Sequence, residues 1–558
     1  MLISSDKTQL TLFRGKTAYP VYLTIGNLPK EIRRKPSRQA HILLGYLPTT
    51  RLKHITSPTS RRRALANLFH AGVRMMLEPL ITAGQNGIPM QSGDGILRRC
   101  HPLFAAFVGD YPEQLLVTCS KVCPTCDIPR EALGSGELGN PKDFATILEA
   151  FELADGPPRE FLRACREIGV KPVYHPFWEG FPYLDIFRAI TPDILHQLYQ
   201  GLIKHLVAWL TNPKVFGAKE VDARCRRMPP NHNARLFTKG ITTLSRVSGQ
   251  EHRDMSRILM GLIVDLRLPN GHSPVRLLRA VRGMLDFLYL AQYKVHTSQT
   301  LEQMQASLDL FHANKSIFVD LDVRAHFQLP KLHNAGHYQQ MVQLYGTTDN
   351  YNTQTTERLH IDLAKDAFQA SNMRDEFAQM TLWLERKEKV LRHQDFVKWR
   401  LRVNFDHESP AIERHSILQH PHIVMTKFPT VYSVDFDTLA NNYGAYDIHN
   451  ALALYVAREK DPSISGARLA RAAANIILPF YHLRLFHKIR FYNRPLERWL
   501  DSEDFMDVAH ARPQYKDKQG RVVAGRFDTV LVQTDPRDQD ADGDQIAISR
   551  KFRVNETR

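Results

Sequence analysis

Three carboxylates stand far apart in this chain, each at the tip of an element that its neighbours predict. Asp6 ends the run LISSD, Asp110 ends HPLFAAFVGD, and Glu357 opens the amphipathic stretch of TTERLHIDLAKDAF. Acids brought together from such distances suit a site for divalent cations, since hard Mg²⁺ (or Mn²⁺) prefers oxygen ligands. Two such ions about 3.5–4 Å apart make a water or a 3′-hydroxyl nucleophilic and stabilise the leaving oxyanion of a phosphodiester. Singly, each acid has an ordinary reading. An Asp at a strand end serves turns, and a first-turn Glu complements the helix dipole. Only the combination, on a core able to join them, makes Asp6, Asp110 and Glu357 the expected catalytic metal ligands.

Sulfur and imidazole form the second set. Cys119, Cys123 and Cys126 in TCSKVCPTCDIP contain a CxxC pair with a third thiol four residues upstream, a spacing that suits structural Zn²⁺. No fourth ligand is visible nearby, though His175 or Cys165 could complete the set, and three reduced, partly buried thiols are the alternative. His333 and His337 in KLHNAGHYQQM follow helical i, i+4 spacing, with His326 a little upstream. Zinc enzymes use that spacing, but no HExxH-type glutamate adjoins it. Core or DNA-facing histidines are the plainer reading.

These residues need elements to position them. LISSD, QLTLF and YPVYLTIG read as strands, with Arg14-Gly15-Lys16 as a turn between the last two. KEIRRKPSR reads as a basic loop before the strand AHILLGYL. Residues 60–80 are helical, with Leu65, Leu68, Phe69, Val73, Met76 and Leu77 on one face. LFAAFVGD is a buried strand, and YLDIFRAIT predicts another. A helix follows over TPDILHQLYQGLIKHLVAWL, with Thr191 as its N-cap and Pro192 at the first helical position. Strand signals are nearly absent over 201–340.

That order predicts an α/β fold: a ribonuclease-H-like core interrupted by a large all-α insertion, with a mixed α+β C-terminal extension. The expected divisions are 1–200 (first part of the core, with a zinc knuckle at 119–126), 201–340 (insertion) and 341–402 (return to the core with the Glu helix). The extension covers 403–535, and 536–558 reads as a disordered acidic tail.

Composition narrows the partners. Among 558 residues, 74 Lys and Arg against 58 Asp and Glu leave a formal charge of +16. That surplus favours a polyanion, with DNA phosphates as the expected partner. Arg33, Arg34 and Lys35, then Arg61, Arg62 and Arg63, then Arg98 and Arg99 are the expected DNA-binding patches. Clusters at 224–227 and 386–392 are further basic patches. No apolar run approaches the ~20 residues of a membrane span, so no membrane partner is expected. MLISSDKTQL has no secretory pattern. Six cysteines in so long a chain make no disulfide scaffold and point to a reducing compartment, cytosol or nucleus.

The longer motifs carry a resemblance. SSDKTQLTLFRGKTAYPVYLTIGNLPKEIRRKPS, CHPLFAAFVGDYPEQLLVTC, ITPDILHQLYQGLIKHL, and YGTTDNYNTQTTERLHIDLAKDAF with QMTLWLERKEK resemble the Plavaka-type transposases of basidiomycete fungi. These belong with the CACTA-like cut-and-paste DNA transposases. The resemblance runs from Met1 to the GRFDTVLV segment. It implies a nuclear DDE-type nuclease and strand transferase of ribonuclease-H-like fold, acting on transposon ends as a homo-oligomer. The family's first acid matches Asp6, its second Asp110 and its late glutamate Glu357. Its Asp-x-x-His signature falls on Asp193 and His196, which would support the metal site. Asp94 in SGDGILRR and Asp185 are rivals for the second acid.

The chain also departs from the family pattern. Asp6 lies close to Met1, the upstream zinc-finger-like region is not seen, and the pattern stops after Val532. Two alternatives therefore stand beside the transposase. One is a truncated or repurposed, non-catalytic DNA-binding relative. The other is a zinc-dependent hydrolase built around His333 and His337.

Overall fold

LISS forms the strand Leu2–Ser5 (β1), and its two neighbours decide what the site looks like. Pro20–Thr24 (β2) pairs antiparallel with β1, and Ile42–Tyr46 (β3) pairs antiparallel with β2. On its other side β1 runs parallel to Ala106–Val108 (β4), in the register Leu2↔Ala106, Ile3↔Phe107, Ser4↔Val108. The four-stranded sheet thus has the order β3-β2-β1-β4. The computed structural model describes residues 1–11, 15–92, 94–229, 235–265, 267–405, 422–426, 428–493, 505–517 and 520–527. Arg14 of the expected turn and the expected tail 536–558 lie outside them.

The chain is mixed α/β, about half helical with small sheets. Two units divide it, Met1–Asn404 and Phe405–Arg558. In the first, the helix Pro58–Asn86 (α1) is capped by the Ser57 hydroxyl and packs Phe69, Val73 and Leu77 into the core that includes Ile3, Val21 and Phe107. Each such burial contributes about 1.5–3 kcal/mol. Tyr111–Val117 (α2) follows β4 directly.

Several sequence expectations change here. YLDIFRAIT is not a strand but a set of turns, touching the sheet through one parallel bridge, Phe107↔Ile190. The reason is local. Asp185 accepts from the Phe187 amide at 2.9 Å, an Asx turn that competes with ladder pairing. The next helix is π-wound over Ile194–Ile203 (α3) and continues as an α-helix through Lys204–Leu210. Its cap is Asp193, not Thr191; the Thr191 hydroxyl donates instead to the Phe107 carbonyl at 3.1 Å. KEIRRKPSR is a helical turn Lys30–Arg33 and a 3₁₀ turn Pro36–Arg38 rather than an open loop.

Between 201 and 340 the described residues hold helices and no strand. The helices Pro274–Leu290 and Ser298–Asn314 approach so closely at Gly283 that a Cβ there would lie 2.7 Å from the Ser307 carbonyl oxygen. Pro330–Ala335 (α4), Tyr338–Tyr345 (α5) and Thr353–His360 (α6) bring the chain back. Past them runs the long helix Glu376–Phe405.

In the second unit, His422–Met425, Lys488–Asn493, Phe505–Arg512 and Arg526–Phe527 form an antiparallel sheet. PTVYSVDFDTLANNY is half strand, Val431–Asp435, and half helix, Phe436–Tyr443, because Asp435 caps a helix there.

Candidate active site and metal centre

Ser4↔Val108 is the last pair of the parallel ladder. Two residues further along each chain stand Asp6 and Asp110, so the register sets the two acids side by side at the same sheet edge. Asp110 also caps α2, its Oδ1 accepting from the Glu113 amide at 3.0 Å. Glu357 lies on α6 and reaches the same place through a histidine. Its Oε1 is 2.9 Å from Nε2 of His196, whose Nδ1 is 2.8 Å from Asp193 Oδ2. The Asp193 side chain is only 2% exposed. Besides capping α3 it accepts from Thr353 Oγ1 at 2.5 Å. Thr353 and Glu357 are one turn apart on one face of α6. That helix therefore grips the Asp193–His196 pair twice.

The electrostatics show how near these groups are. Burial, then the charge of Asp110 and further that of Glu357, push the Asp6 carboxyl up to about 6, against the opposing pull of His196. Burial disfavours a charged His196, but hydrogen bonds and charge from Asp193 and Glu357 push it up to about 10. His196 is thus held between the Asp193 and Glu357 side chains.

The donor set fits Mg²⁺ or Mn²⁺. Carboxylate oxygens are the hard ligands these ions take, and a cation relieves the repulsion that raises Asp6. The three acids do not form a set with all ligand atoms within 4.8 Å of one another.

Two groups at this site were not singled out from sequence. Glu113 is half-buried, accepts from the Ser5 hydroxyl and, at 2.6 Å, from Tyr19, and so ties α2 to β1. Burial pushes it up to about 8 in spite of those bonds. Its signal was the spacing Asp110-x-x-Glu113, which reads as a capping box, yet the side chain points to Ser5 and Tyr19 instead. Lys331 on α4 donates to the His196 carbonyl at 2.6 Å. Nothing local marks it, because the insertion separates it from the site by more than a hundred residues.

A second cluster has soft ligands. Cys123, Cys126, His333 and His337 are all buried, with ligand atoms within 4.8 Å of one another. Cys126 Sγ is 3.1 Å from His333 Nε2, Cys123 Sγ is 3.5 Å from His337 Nε2, and the two Nε2 atoms are 3.3 Å apart. Hydrogen bonds from Cys123 and then from His333 and His337 hold the Cys126 thiol below its usual range. A Cys₂His₂ set of this kind is compatible with zinc.

This corrects the expected ligand set. Cys119 stands apart, in left-handed backbone (φ 53) with Sγ 3.6 Å from His70 in the main core. Cys165 belongs to that core too. His175 bonds Asp155 and Glu179, each at 3.0 Å. His333 and His337 supply the missing ligands. Four protein ligands leave no open position, so the arrangement is that of a structural centre and disfavours the zinc hydrolase. Among the described residues His326 is bonded locally, to Arg324 and Gln328.

The rival acids lie elsewhere. Asp94 tips an exposed hairpin, Ile88–Gln91 with Leu97–Cys100, where hydrogen bonds from Arg98 and then Ser92 hold it well below the usual range. Asp185 is engaged in its turn. Of the basic patches, Arg61, Arg62 and Arg63 lie in the first turns of α1, and Arg98 and Arg99 lie on the hairpin. Lys35 is exposed, Arg34 is half-buried, and Arg33 is buried.

The first unit is mixed α/β and holds a Cys₂His₂ set compatible with zinc. The comparisons are more particular. Residues 1–210 match the family described as Plavaka transposase, so the chain is similar to Plavaka-type transposases there, as the sequence motifs implied. The match holds Asp6, Asp110, Asp193 and His196; Glu357 lies beyond it, and the resemblance had been expected to run much further. Residues 400–540 match a separate family, described as a domain of unknown function (DUF6830). No curated protein matches the chain. No helix among the described residues is long and apolar enough to cross a membrane.

Proposed function

We propose that this chain is a DNA transposase whose first unit is a ribonuclease-H-like DDE nuclease and strand transferase. The observation that carries the reading is the ladder register that sets Asp6 beside Asp110, with Glu357 delivered to them through His196. The sheet order β3-β2-β1-β4, with only the β1–β4 pair parallel, supports the ribonuclease-H-like assignment. The Plavaka match over 1–210 supports a DNA substrate, as does the charge of +16.

Asp6, Asp110 and Glu357 would hold Mg²⁺, which when bound supplies Lewis-acid activation of the attacking oxygen and stabilisation of the leaving one. The protein's own part is positional. Asp110 is fixed by capping α2, and Asp6 by the strand end. His196, held between Asp193 and Glu357, orients the glutamate. Zinc held by Cys123, Cys126, His333 and His337 would pin α4 and α5, and with them Lys331, to the segment after α2.

The test is nicking of supercoiled plasmid with Mg²⁺ or Mn²⁺, comparing wild type with Asp6→Ala. Cutting by the wild type that the variant loses supports the nuclease. DNA binding by both proteins with cutting by neither would favour the non-catalytic relative.

A further inference from the structure

Beside the acids, the protein has a second cleft with the opposite charge. It lies between β1, β2 and the segment 349–356, with Ser4, Arg33, His41, Val108, Asn350 and Thr355 in its walls. Arg33 is 5% exposed. Among the described residues its one side-chain hydrogen bond runs from Nη2 to Asn350 Oδ1 at 3.1 Å, and its Nε has no partner. A buried cation without a carboxylate on it is costly unless an anion joins it.

The neighbouring carboxylate is already taken. Asp349 lies 3.2 Å from Lys30, 3.3 Å from Lys294 and 3.4 Å from Arg34. Glu31 is a further carboxylate whose charge Arg33 feels, but among the described residues neither acid makes an ion pair with Arg33. The N-terminal turn of α6 contributes Asn352, Thr355 and Thr356 to the same cleft.

We propose that this cleft is a subsite for one backbone phosphate of the bound DNA, with Arg33 as its buried ligand. The proposal rests on the DNA-processing reading above and names where the strand next to the reacting phosphate is held. Ser4 and Val108 are each two residues from Asp6 and Asp110, about 6.6 Å of strand, and Thr356 adjoins Glu357. A phosphate on Arg33 therefore sits beside the acids without touching them. It would also couple DNA binding to the placement of α6, the helix that carries Glu357.

The experiment is a salt titration of duplex DNA binding by fluorescence anisotropy, with the full chain and no divalent cation, so that cleavage plays no part. Each phosphate contact contributes about 0.9 to the slope of log K against log[salt]. Arg33→Gln is expected to reduce that slope by about one, and an unchanged slope in a folded variant overturns the proposal. Should Arg33→Gln fail to fold, Asn350→Asp serves instead. It places a carboxylate on Arg33, and is expected to keep the melting temperature while lowering the slope by about one; wild-type binding by this variant overturns the subsite. If the wild type binds no DNA at all, the DNA reading falls and this proposal with it. Wild-type binding with unaltered variants removes the subsite alone.

Discussion

Asp110 has two duties at one position, as a helix cap and as an acid beside Asp6, and substitution can separate them. Asparagine caps helices about as well as aspartate, whereas alanine loses about 1 kcal/mol. Asp110→Asn is therefore expected to melt with the wild type yet lose Mg²⁺-dependent cutting by at least about 100-fold, or ~2.7 kcal/mol of barrier. Thermal melts and plasmid nicking on one preparation check both halves. At this scale the sequence told much. The residue types and strand-end positions of Asp6 and Asp110 were readable, and so was the one-turn spacing of Asp193 and His196. Glu113 was not, because Asp-x-x-Glu looks like an ordinary capping box until the fold brings Ser5 and Tyr19 to it. The partners of Cys123 and Cys126 were also hidden. Their histidines lie some two hundred residues on, across an all-helical insertion.

Elements were legible where periodicity is long and local. The α1 stripe and the helical character of 201–340 follow from 3.6-residue spacing. Short segments misled, as in YLDIFRAIT, where the Asp185 turn outcompetes pairing, and in the Phe436–Tyr443 half of an expected strand. Two predictions belong here. Because the Cys₂His₂ set joins the segment after α2 to α4 and α5, the purified protein is expected to contain one zinc per chain by atomic absorption. Cys126→Ser should lose the metal and lower the melting temperature by several degrees, at about 2–4 °C per kcal/mol; unchanged melting would refute a structural role.

The second concerns α1. Burial pushes His70 down to about 4, where its ring packs on Phe177 and bonds the Leu116 carbonyl. An unfolded histidine takes its proton near 6.5. Between those values the unfolded state binds a proton that the folded state refuses, so stability falls as pH drops from 6.5 toward 4. The loss is about 3 kcal/mol at the acid end. His70→Gln should flatten the fall in melting temperature over that range, and an unaltered pH profile would show that His70 does not contribute.

At the scale of the molecule, the positive surplus and the acidic site answer different parts of one problem. On the proposed function, distributed Lys and Arg would draw the polyanion in, while the acids, which alone would repel it, would need cations before a phosphate could settle among them. The sequence made the overall charge plain. It did not reveal that Arg33 is buried beside α6, since a run such as KEIRRKPSR reads as a solvated face until 349–356 folds over it. The account as a whole stands on Asp6, Asp110 and Glu357 forming one divalent-cation site. The most direct measurement is Mn²⁺ binding, by calorimetry and by the loss of free-ion paramagnetic resonance signal, in wild type, Asp6→Asn, Asp110→Asn and Glu357→Gln. The predicted result is saturable binding by the wild type that each single substitution weakens at least tenfold. Equal Mn²⁺ binding by all four proteins, or none by the wild type, would contradict it.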